Sequence, residues 1–140
     1  MAETKYGKYI ITELKKKAPA PWDPKLDPDE LIPLLTLDSS VIKDAFYVET
    51  ALTLPPFANK THGQSHQHDY DEVIAFFGTD PQNPHDLYAE AEVHIGDEVH
   101  TITKSCLIFV PKGVPHAPIN FKRIDRPIFH FTAGVSKKYF

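Results

Sequence analysis

The chain has 140 residues, of which 41% are hydrophobic and 24% charged, and this composition is typical of one soluble globular domain. Its formal net charge of -4 argues against nucleic acid or an anionic membrane as the main partner. No apolar run approaches the roughly 18 residues of a membrane span, and the first residues lack the apolar core of a signal peptide. Cys106 is the single cysteine, which excludes an intrachain disulfide, and we predict a cytoplasmic protein.

The first part of the chain differs in composition from the rest. Tyr9-Ile10-Ile11-Thr12 is a strand-like run, and a proline-rich stretch follows over residues 18–34. Proline removes a backbone donor and fixes φ, so this stretch is predicted to be extended or turned rather than regular. Trp22 lies within it and favours docking onto an apolar surface of the same domain or of a partner subunit. We therefore predict an irregular N-terminal arm over residues 1–44 and a barrel over residues 45–140.

From about residue 45 the pattern changes to short runs with a period of two, rich in β-branched and aromatic residues. Gly96-Asp97 is a two-residue hairpin signal, and Thr79 to Asp86 is predicted to be a loop because of its prolines. The predicted strands are Phe46–Leu54, Glu72–Phe77, Leu87–Ile95, Glu98–Thr103, Cys106–Val110, His116–Lys122 and Pro127–Thr132. Short strands at regular spacing without a long helix indicate an all-β sandwich or barrel.

Four side chains suited to metal binding lie in two stretches far apart in sequence. His66 and His68 differ by two positions and Glu72 follows four later, so an extended segment would project all three to one face. His116 begins a second segment. Because adjacent strands lie about 4.8 Å apart, two neighbouring inward-facing segments can bring four ligand atoms to one ion.

Both stretches resemble the metal-binding motifs of the cupins. His66-x-His68-x3-Glu72-x5-Gly78 is similar to the first motif, and Pro111-x-Gly113-x2-His116-x3-Asn120 is similar to the second. The resemblance implies a double-stranded β-helix, a small jelly-roll barrel, that holds one metal through His66, His68, Glu72 and His116. One departure is that the first cupin motif usually begins with a glycine where this chain has Lys60. Gly63 is the nearest substitute, so the loop into the ligand segment is expected to have a different shape.

The donor types limit the metal without identifying it. Three imidazoles and one carboxylate suit a divalent transition metal ion, namely Fe, Mn, Ni, Co, Cu or Zn. A structural zinc site normally uses cysteine, and neither motif contains one. A six-coordinate ion would keep two positions open for a small-molecule ligand, as catalysis or ligand binding requires. Two plainer interpretations stay open: the four side chains are ordinary strand residues, or a bound metal serves only stability.

Several further residues are candidates for the pocket. His130, between two phenylalanines, is interpreted either as a general base near the metal or as a hydrogen-bonded barrel histidine. Tyr47 and Glu49 share a face of the strand before the first motif and are weaker catalytic candidates. Asn120 is expected to support its strand rather than to bind metal. The set Glu90, Glu92 and His94 is predicted to form an outer polar face rather than a second metal site.

Two functional hypotheses follow from the sequence. The first is a metal-dependent enzyme that acts on a small polar metabolite; the cupin resemblance implies oxygenase, isomerase, decarboxylase or lyase chemistry without separating them. The alternative is a non-catalytic cupin that binds or senses a small ligand. Because cupins commonly dimerise and open sheet edges invite pairing, we also predict a homodimer with the N-terminal arm at the interface.

Overall fold

The computed structural model describes residues 4–14, 30–59 and 63–136, and nearly all of its regular structure is β-strand. In chain order the strands are β1 (Leu31–Leu37), β2 (Tyr47–Thr53), β3 (Glu72–Phe77), β4 (Asp86–Ile95), β5 (Glu98–Lys104), β6 (Cys106–Val110), β7 (His116–Ile124) and β8 (Ile128–Gly134). Single 3₁₀ turns occupy Gly7–Tyr9 and Pro55–Phe57. None of the helical segments in the described parts of the chain is long and apolar enough to cross a membrane.

The strands form two antiparallel sheets. The larger sheet has the order β1-β2-β8-β3-β6, and the smaller has the order β5-β4-β7. In both sheets strands distant in sequence are neighbours, as where β8 lies between β2 and β3. This antiparallel two-sheet arrangement confirms the predicted all-β, jelly-roll fold.

The predicted strands from residue 46 onward are confirmed to within two residues at their ends. The turn at Gly96-Asp97 connects β4 to β5, and Gly96 has the positive φ of 60° that such a turn requires. Gly78 ends β3 where a Cβ atom would lie 2.0 Å from the carbonyl oxygen of Asp86. That close approach of two backbones explains why glycine occupies this position.

The structure of the predicted arm differs from the expectation in two respects. Strand β1 was not predicted; it pairs with β2 at the edge of the larger sheet, where Pro33 and a register shift are tolerated. The strand-like interpretation of Tyr9 to Thr12 is wrong, because Tyr9 closes a 3₁₀ turn whose Gly7 carbonyl accepts the Ile10 amide, and the next residues join no strand. Trp22 and most of the proline-rich stretch lie outside the described residues.

The interior between the sheets is apolar over most of its length. Along β4 the buried residues Leu87, Ala89, Ala91 and Val93 alternate with more exposed polar ones, the period of two expected for a strand with one buried face. An aromatic group fills the centre, where the rings of Phe57 and Phe76 each lie edge-on to Phe121. On the outer side of β4, Glu92 forms an ion pair of 2.8 Å with Lys122, in agreement with the predicted polar face.

Candidate metal site

Backbone hydrogen bonds join the two predicted motifs at one end of the barrel. His66 and His116 form a reciprocal pair, with N–H to carbonyl distances of 3.0 and 2.8 Å. The Gly113 amide donates to the His68 carbonyl at 2.8 Å, and the Lys112 amide donates to the Asp71 carboxylate at 2.9 Å. Gly113 has a φ of 81°, so the turn before His116 uses the backbone freedom of glycine. The second motif therefore holds the first in place through its main chain.

The first motif reaches the site by a different path from the one predicted. His66 makes an isolated bridge, the chain bends at Asp69 and Tyr70, and β3 starts only at Glu72. The simple rule that alternate residues of one extended strand share a face therefore does not apply between His68 and Glu72. Their side chains still converge, because the bend redirects the chain into β3. Lys60 lies outside the described residues, and Gly63 has a left-handed φ of 79° in the loop before the motif.

Three imidazoles meet at the junction of the motifs. The nearest ring nitrogens of His66, His68 and His116 all lie within 4.8 Å of one another, so these histidines form a group able to hold a metal ion. The His66 Nδ1 atom donates to the Gln64 carbonyl at 2.7 Å, and the His116 Nδ1 atom donates to the Val114 carbonyl at 3.0 Å. Because a carbonyl only accepts, Nδ1 carries a hydrogen in both rings, and Nε2 is the atom that each ring offers as a metal ligand.

The Glu72 carboxylate faces the same cluster from the first position of β3. Its Oε1 atom lies 3.2 Å from Nε2 of His116, and its Oε2 atom lies 3.4 Å from Nε2 of His68. Ligands bound at about 2.0–2.2 Å to one ion lie about 2.8–3.6 Å apart, so both distances fit a shared ion. Glu72 Oε1 and His116 Nε2 are buried, and neither forms a hydrogen bond of normal geometry with the described residues. Such atoms fit a metal ligand set.

Burial and mutual contact have opposing effects on the pKa values of the cluster. Burial alone would raise the pKa of Glu72, but His116 and Tyr47 more than offset it and hold the pKa below its usual value. Burial lowers the pKa of His116, yet the Glu72 carboxylate and the Val114 carbonyl outweigh it and raise the pKa. For His68, burial dominates and the pKa is lowered. Glu72 is therefore an anion at neutral pH, as a metal ligand must be.

Two tyrosines surround the carboxylate. The fully buried Tyr47 donates a short hydrogen bond from its hydroxyl to Glu72 Oε2, and burial together with this bond raises its pKa. Gly134 makes room for the Tyr47 ring, because a Cβ atom there would lie 2.7 Å from the ring. The Tyr70 ring stacks on His68 at 4.7 Å and meets Tyr47 edge-on at 5.7 Å. Tyr47 is thus the predicted catalytic candidate that the structure brings into contact with the cluster.

The other pocket candidates occupy positions further from Glu72. In the register of the larger sheet, Glu72 and Tyr47 both pair with Gly134, whereas His130 pairs with Phe76, four residues along β3. The His130 Nδ1 atom donates to the Ala75 carbonyl at 3.0 Å, and its ring stacks on Phe76 at 4.8 Å. This is the geometry of the barrel-histidine interpretation.

The contacts given for Glu49 and Asn120 are with residues other than the three histidines. The Glu49 carboxylate accepts a hydrogen bond of 2.9 Å from Thr36 of β1. Asn120 pairs with Glu92, and a register shift in the β4–β7 ladder separates it from His116. Gly134, which leaves space for the Tyr47 ring, was not predicted from the sequence. Its effect comes from cross-strand packing, and the sequence carries no local signal for it.

Comparison with known proteins supports the fold. No protein-family model matches this chain, and no curated protein is detectably similar to it in sequence. A conserved protein of unknown function from Streptococcus pyogenes has a similar structure, with a TM-score of 0.51, 16% identity and coverage of 80% of this chain and 79% of that one. A predicted oxalate decarboxylase from Thermotoga maritima has a TM-score of 0.50 and 12% identity, with coverage of 74% and 76%. At these identities the likeness establishes a shared fold only.

Proposed function

We propose that this chain binds one divalent transition metal through His66, His68, Glu72 and His116 and is a metal-dependent enzyme acting on a small polar metabolite. The observation that carries the proposal is the convergence of three imidazoles and one buried carboxylate from two distant segments. A bound metal of this kind would supply Lewis-acid or redox chemistry to a small ligand in its open positions. Iron would favour oxygenase chemistry, whereas zinc or manganese would favour isomerase, decarboxylase or lyase chemistry.

The residues of the chain have separate tasks in this proposal. The two Nδ1–carbonyl bonds orient the rings of His66 and His116 and direct their Nε2 atoms inward. Tyr47 remains protonated because its pKa is raised, and its hydroxyl fixes the rotation of the Glu72 carboxylate. Tyr70 covers one face of His68 and limits access of water from that side.

The alternative function is non-catalytic binding or sensing of a small ligand. It is favoured by the same tyrosine, because a phenol that is held protonated and hydrogen bonded to Glu72 is not free to act as a general base. His130, the other base candidate, donates to the Ala75 carbonyl and pairs with Phe76, four residues along β3 from Glu72. In this case the metal would bind the ligand without converting it.

A metabolite screen on metal-loaded protein tests the proposal. We expect turnover of a small polar compound by the wild type and by His94→Ala, a matched control on the outer face of β4, and loss of turnover in His116→Ala. Binding of a compound without turnover would favour the sensing alternative. A protein that carries no transition metal and cannot be loaded with one would contradict both.

A further inference from the structure

The inner face of the larger sheet carries a second row of polar side chains beside the proposed metal ligands. The first row contains Glu72 and Tyr47. Two residues away along the strands, Thr132 of β8 pairs with Glu49 on one side and with Ile74 on the other. Alternate residues of a strand share a face, so the second row points into the same interior as the first. We call Glu49 and Thr132 the polar pair.

The polar pair lies within reach of a short molecule bound at the metal ligands. At a rise of about 3.4 Å per residue, the two rows are about 6.8 Å apart along the strands. Residues paired across neighbouring strands have Cβ atoms about 4.5–5.5 Å apart, so the carboxylate of Glu49 and the hydroxyl of Thr132 can contact the same group of a ligand. Glu49 accepts a hydrogen bond of 2.9 Å from Thr36. A carboxylate has about four lone-pair sites, so this bond orients it and still allows further donors to bind.

The side chains around the polar pair are aliphatic. Across the barrel, Phe121 of β7 meets Phe76 of β3 edge-on at 5.4 Å, which fixes the level at which the two sheets face each other. Two residues nearer the metal ligands on each strand lie Ile119 and the buried Ile74, and Ile119 pairs with the buried Val93. The space beside the polar pair therefore has one polar wall and one apolar wall, as small-molecule sites commonly do.

The next row limits the length of a ligand. It consists of Ala51, His130 and Phe76, which pair across β2, β8 and β3. The ring of His130 stacks on Phe76 at 4.8 Å, and Phe76 in turn packs against Phe121. These rings fill the interior beyond the polar pair. A ligand that binds the metal therefore extends over about one row spacing, and its far end lies at Glu49 and Thr132.

The charges near the polar pair favour one kind of group at that far end. The five strands of the larger sheet contain no lysine and no arginine. On β7, Lys122 and Arg123 are exposed and form ion pairs with Glu92 and Asp125. A second anionic group on a ligand would thus meet the Glu49 carboxylate without a cation from these strands, and like charges in contact are unfavourable. A hydroxyl or amino group would instead donate a hydrogen bond to it.

We propose that Glu49 and Thr132 determine ligand specificity by binding the hydroxyl or amino group of a short-chain compound whose other end binds the metal. The aliphatic part of the compound lies against Ile74 and Ile119. The proposal rests on the proposed metal site, because the metal holds one end of the ligand. It gives Glu49 a role in recognition rather than in proton transfer, and it adds Thr132 to the residues that contact the ligand.

Titration of the Co²⁺-loaded full-length chain with four matched compounds tests the proposal. Butyrate, 4-hydroxybutyrate, 4-aminobutyrate and succinate share one carboxylate and a similar length and differ in the group at the far end. The visible absorption of Co²⁺ reports binding without any turnover. We expect 4-hydroxybutyrate or 4-aminobutyrate to bind about 10-fold or more tightly than butyrate, because a buried acceptor left without a donor is unfavourable. Succinate should bind no more tightly than butyrate.

Variants of the polar pair should remove this preference. Thr132→Val keeps the shape of the side chain and removes the hydroxyl, and Glu49→Gln removes the charge. Each should reduce the preference over butyrate to about 3-fold or less, while Thr132→Ser should restore it. Thr101→Val, on the exposed strand β5, is the matched control and should leave it unchanged. The affinity for Co²⁺ should be the same in all variants, which also shows that each variant is folded.

Three results would overturn the proposal while the metal site stands. One is a Co²⁺-loaded wild type that shows no preference among the four compounds or binds none of them. Another is tightest binding of succinate. The third is a preference that persists in both Thr132→Val and Glu49→Gln. A wild type that does not bind Co²⁺ would contradict the proposed function itself, together with the specificity role that rests on it.

Discussion

Two regions of the barrel contain histidines with the same local hydrogen bond, but only one of these regions brings several donor atoms together. At the end where β3 begins, His66 and His116 each donate from Nδ1 to a backbone carbonyl. Both rings belong to the group of three imidazoles, and Nε2 of His116 lies 3.2 Å from Glu72 Oε1. Further along the sheet, His130 also donates from Nδ1 to a carbonyl, but its ring stacks on Phe76 among apolar neighbours. A fixed tautomer is therefore not enough to make a histidine a metal ligand. The histidine must also converge with other donor atoms.

The largest expected effect is the loss of metal from the first region. His116→Ala removes one of three imidazoles and should lower the affinity for Zn²⁺ or Co²⁺ roughly 100-fold or more. Even loss of a residue that only hydrogen bonds to a metal ligand typically lowers metal affinity about 10–100-fold. His130→Ala, a change of the same chemistry in the second region, should leave affinity within about 3-fold of wild type. Isothermal titration calorimetry measures both. An equal loss of metal affinity in the two variants would contradict the claim that only the first region binds metal.

Replacement of the carboxylate should have the next largest effect. Glu72→Gln keeps the shape of the side chain but removes its charge, and we expect metal affinity to fall about 10–100-fold because an anionic ligand is lost. Glu92→Gln breaks the exposed ion pair with Lys122 and is the matched control, with metal affinity unchanged. An unchanged affinity in Glu72→Gln would mean that the three histidines alone bind the metal.

The tyrosine beside the carboxylate should contribute less. Tyr47→Phe removes the hydroxyl that orients Glu72 and should reduce metal affinity about 10-fold, while the free energy of unfolding falls by about 2 kcal/mol because a hydrogen bond to a buried charge is lost. Tyr88→Phe removes a comparable bond to Asp80 outside the cluster and serves as control. If both variants bind metal as the wild type does, Tyr47 has no positioning role.

The smallest effect concerns the pH dependence of stability in the second region. Burial lowers the pKa of His130 from 6.5 to about 4, so between these values the unfolded chain binds a proton that the folded chain does not. Stability from this group is therefore present above pH 6.5 and is lost as pH falls toward 4. Between pH 7 and pH 5 the loss should be about 1–2 kcal/mol.

The variant His130→Phe isolates that contribution, because it preserves an aromatic ring next to Phe76 and removes the titrating group. Urea unfolding at both pH values should show a smaller acid-induced loss of stability in this variant than in the wild type. Identical losses would indicate that the acid sensitivity originates elsewhere, for example at the clustered histidines of the first region.

The comparison also shows how far the sequence predicts this molecule. The period-two pattern predicts the strands from Tyr47 onward, and β4 shows it most clearly, with buried residues alternating with more exposed ones. Strand β1 was not predicted because Pro33 is unfavourable in most strands. Strand β1 lies at the edge of its sheet, where a residue without a backbone donor is tolerated.

For the candidate site, residue types and spacing predict which side chains meet, but they do not predict the path of the chain between them. The bend at Asp69 and Tyr70 follows from hydrogen bonds to the turn around Gly113, and those bonds join segments far apart in sequence. Whether His130 belongs to the cluster depends on the register of β3 with β8, which a single sequence does not encode locally. The role of Gly134 likewise appears only when the Tyr47 ring is placed against it.

X-ray absorption spectroscopy of the protein loaded with one equivalent of Zn²⁺ tests the central claim most directly. We predict a first shell that contains three imidazole nitrogens, from His66, His68 and His116, and one carboxylate oxygen from Glu72. A protein that does not retain the ion, or a first shell with fewer than three imidazoles, would contradict the claim that the two motifs form one metal site.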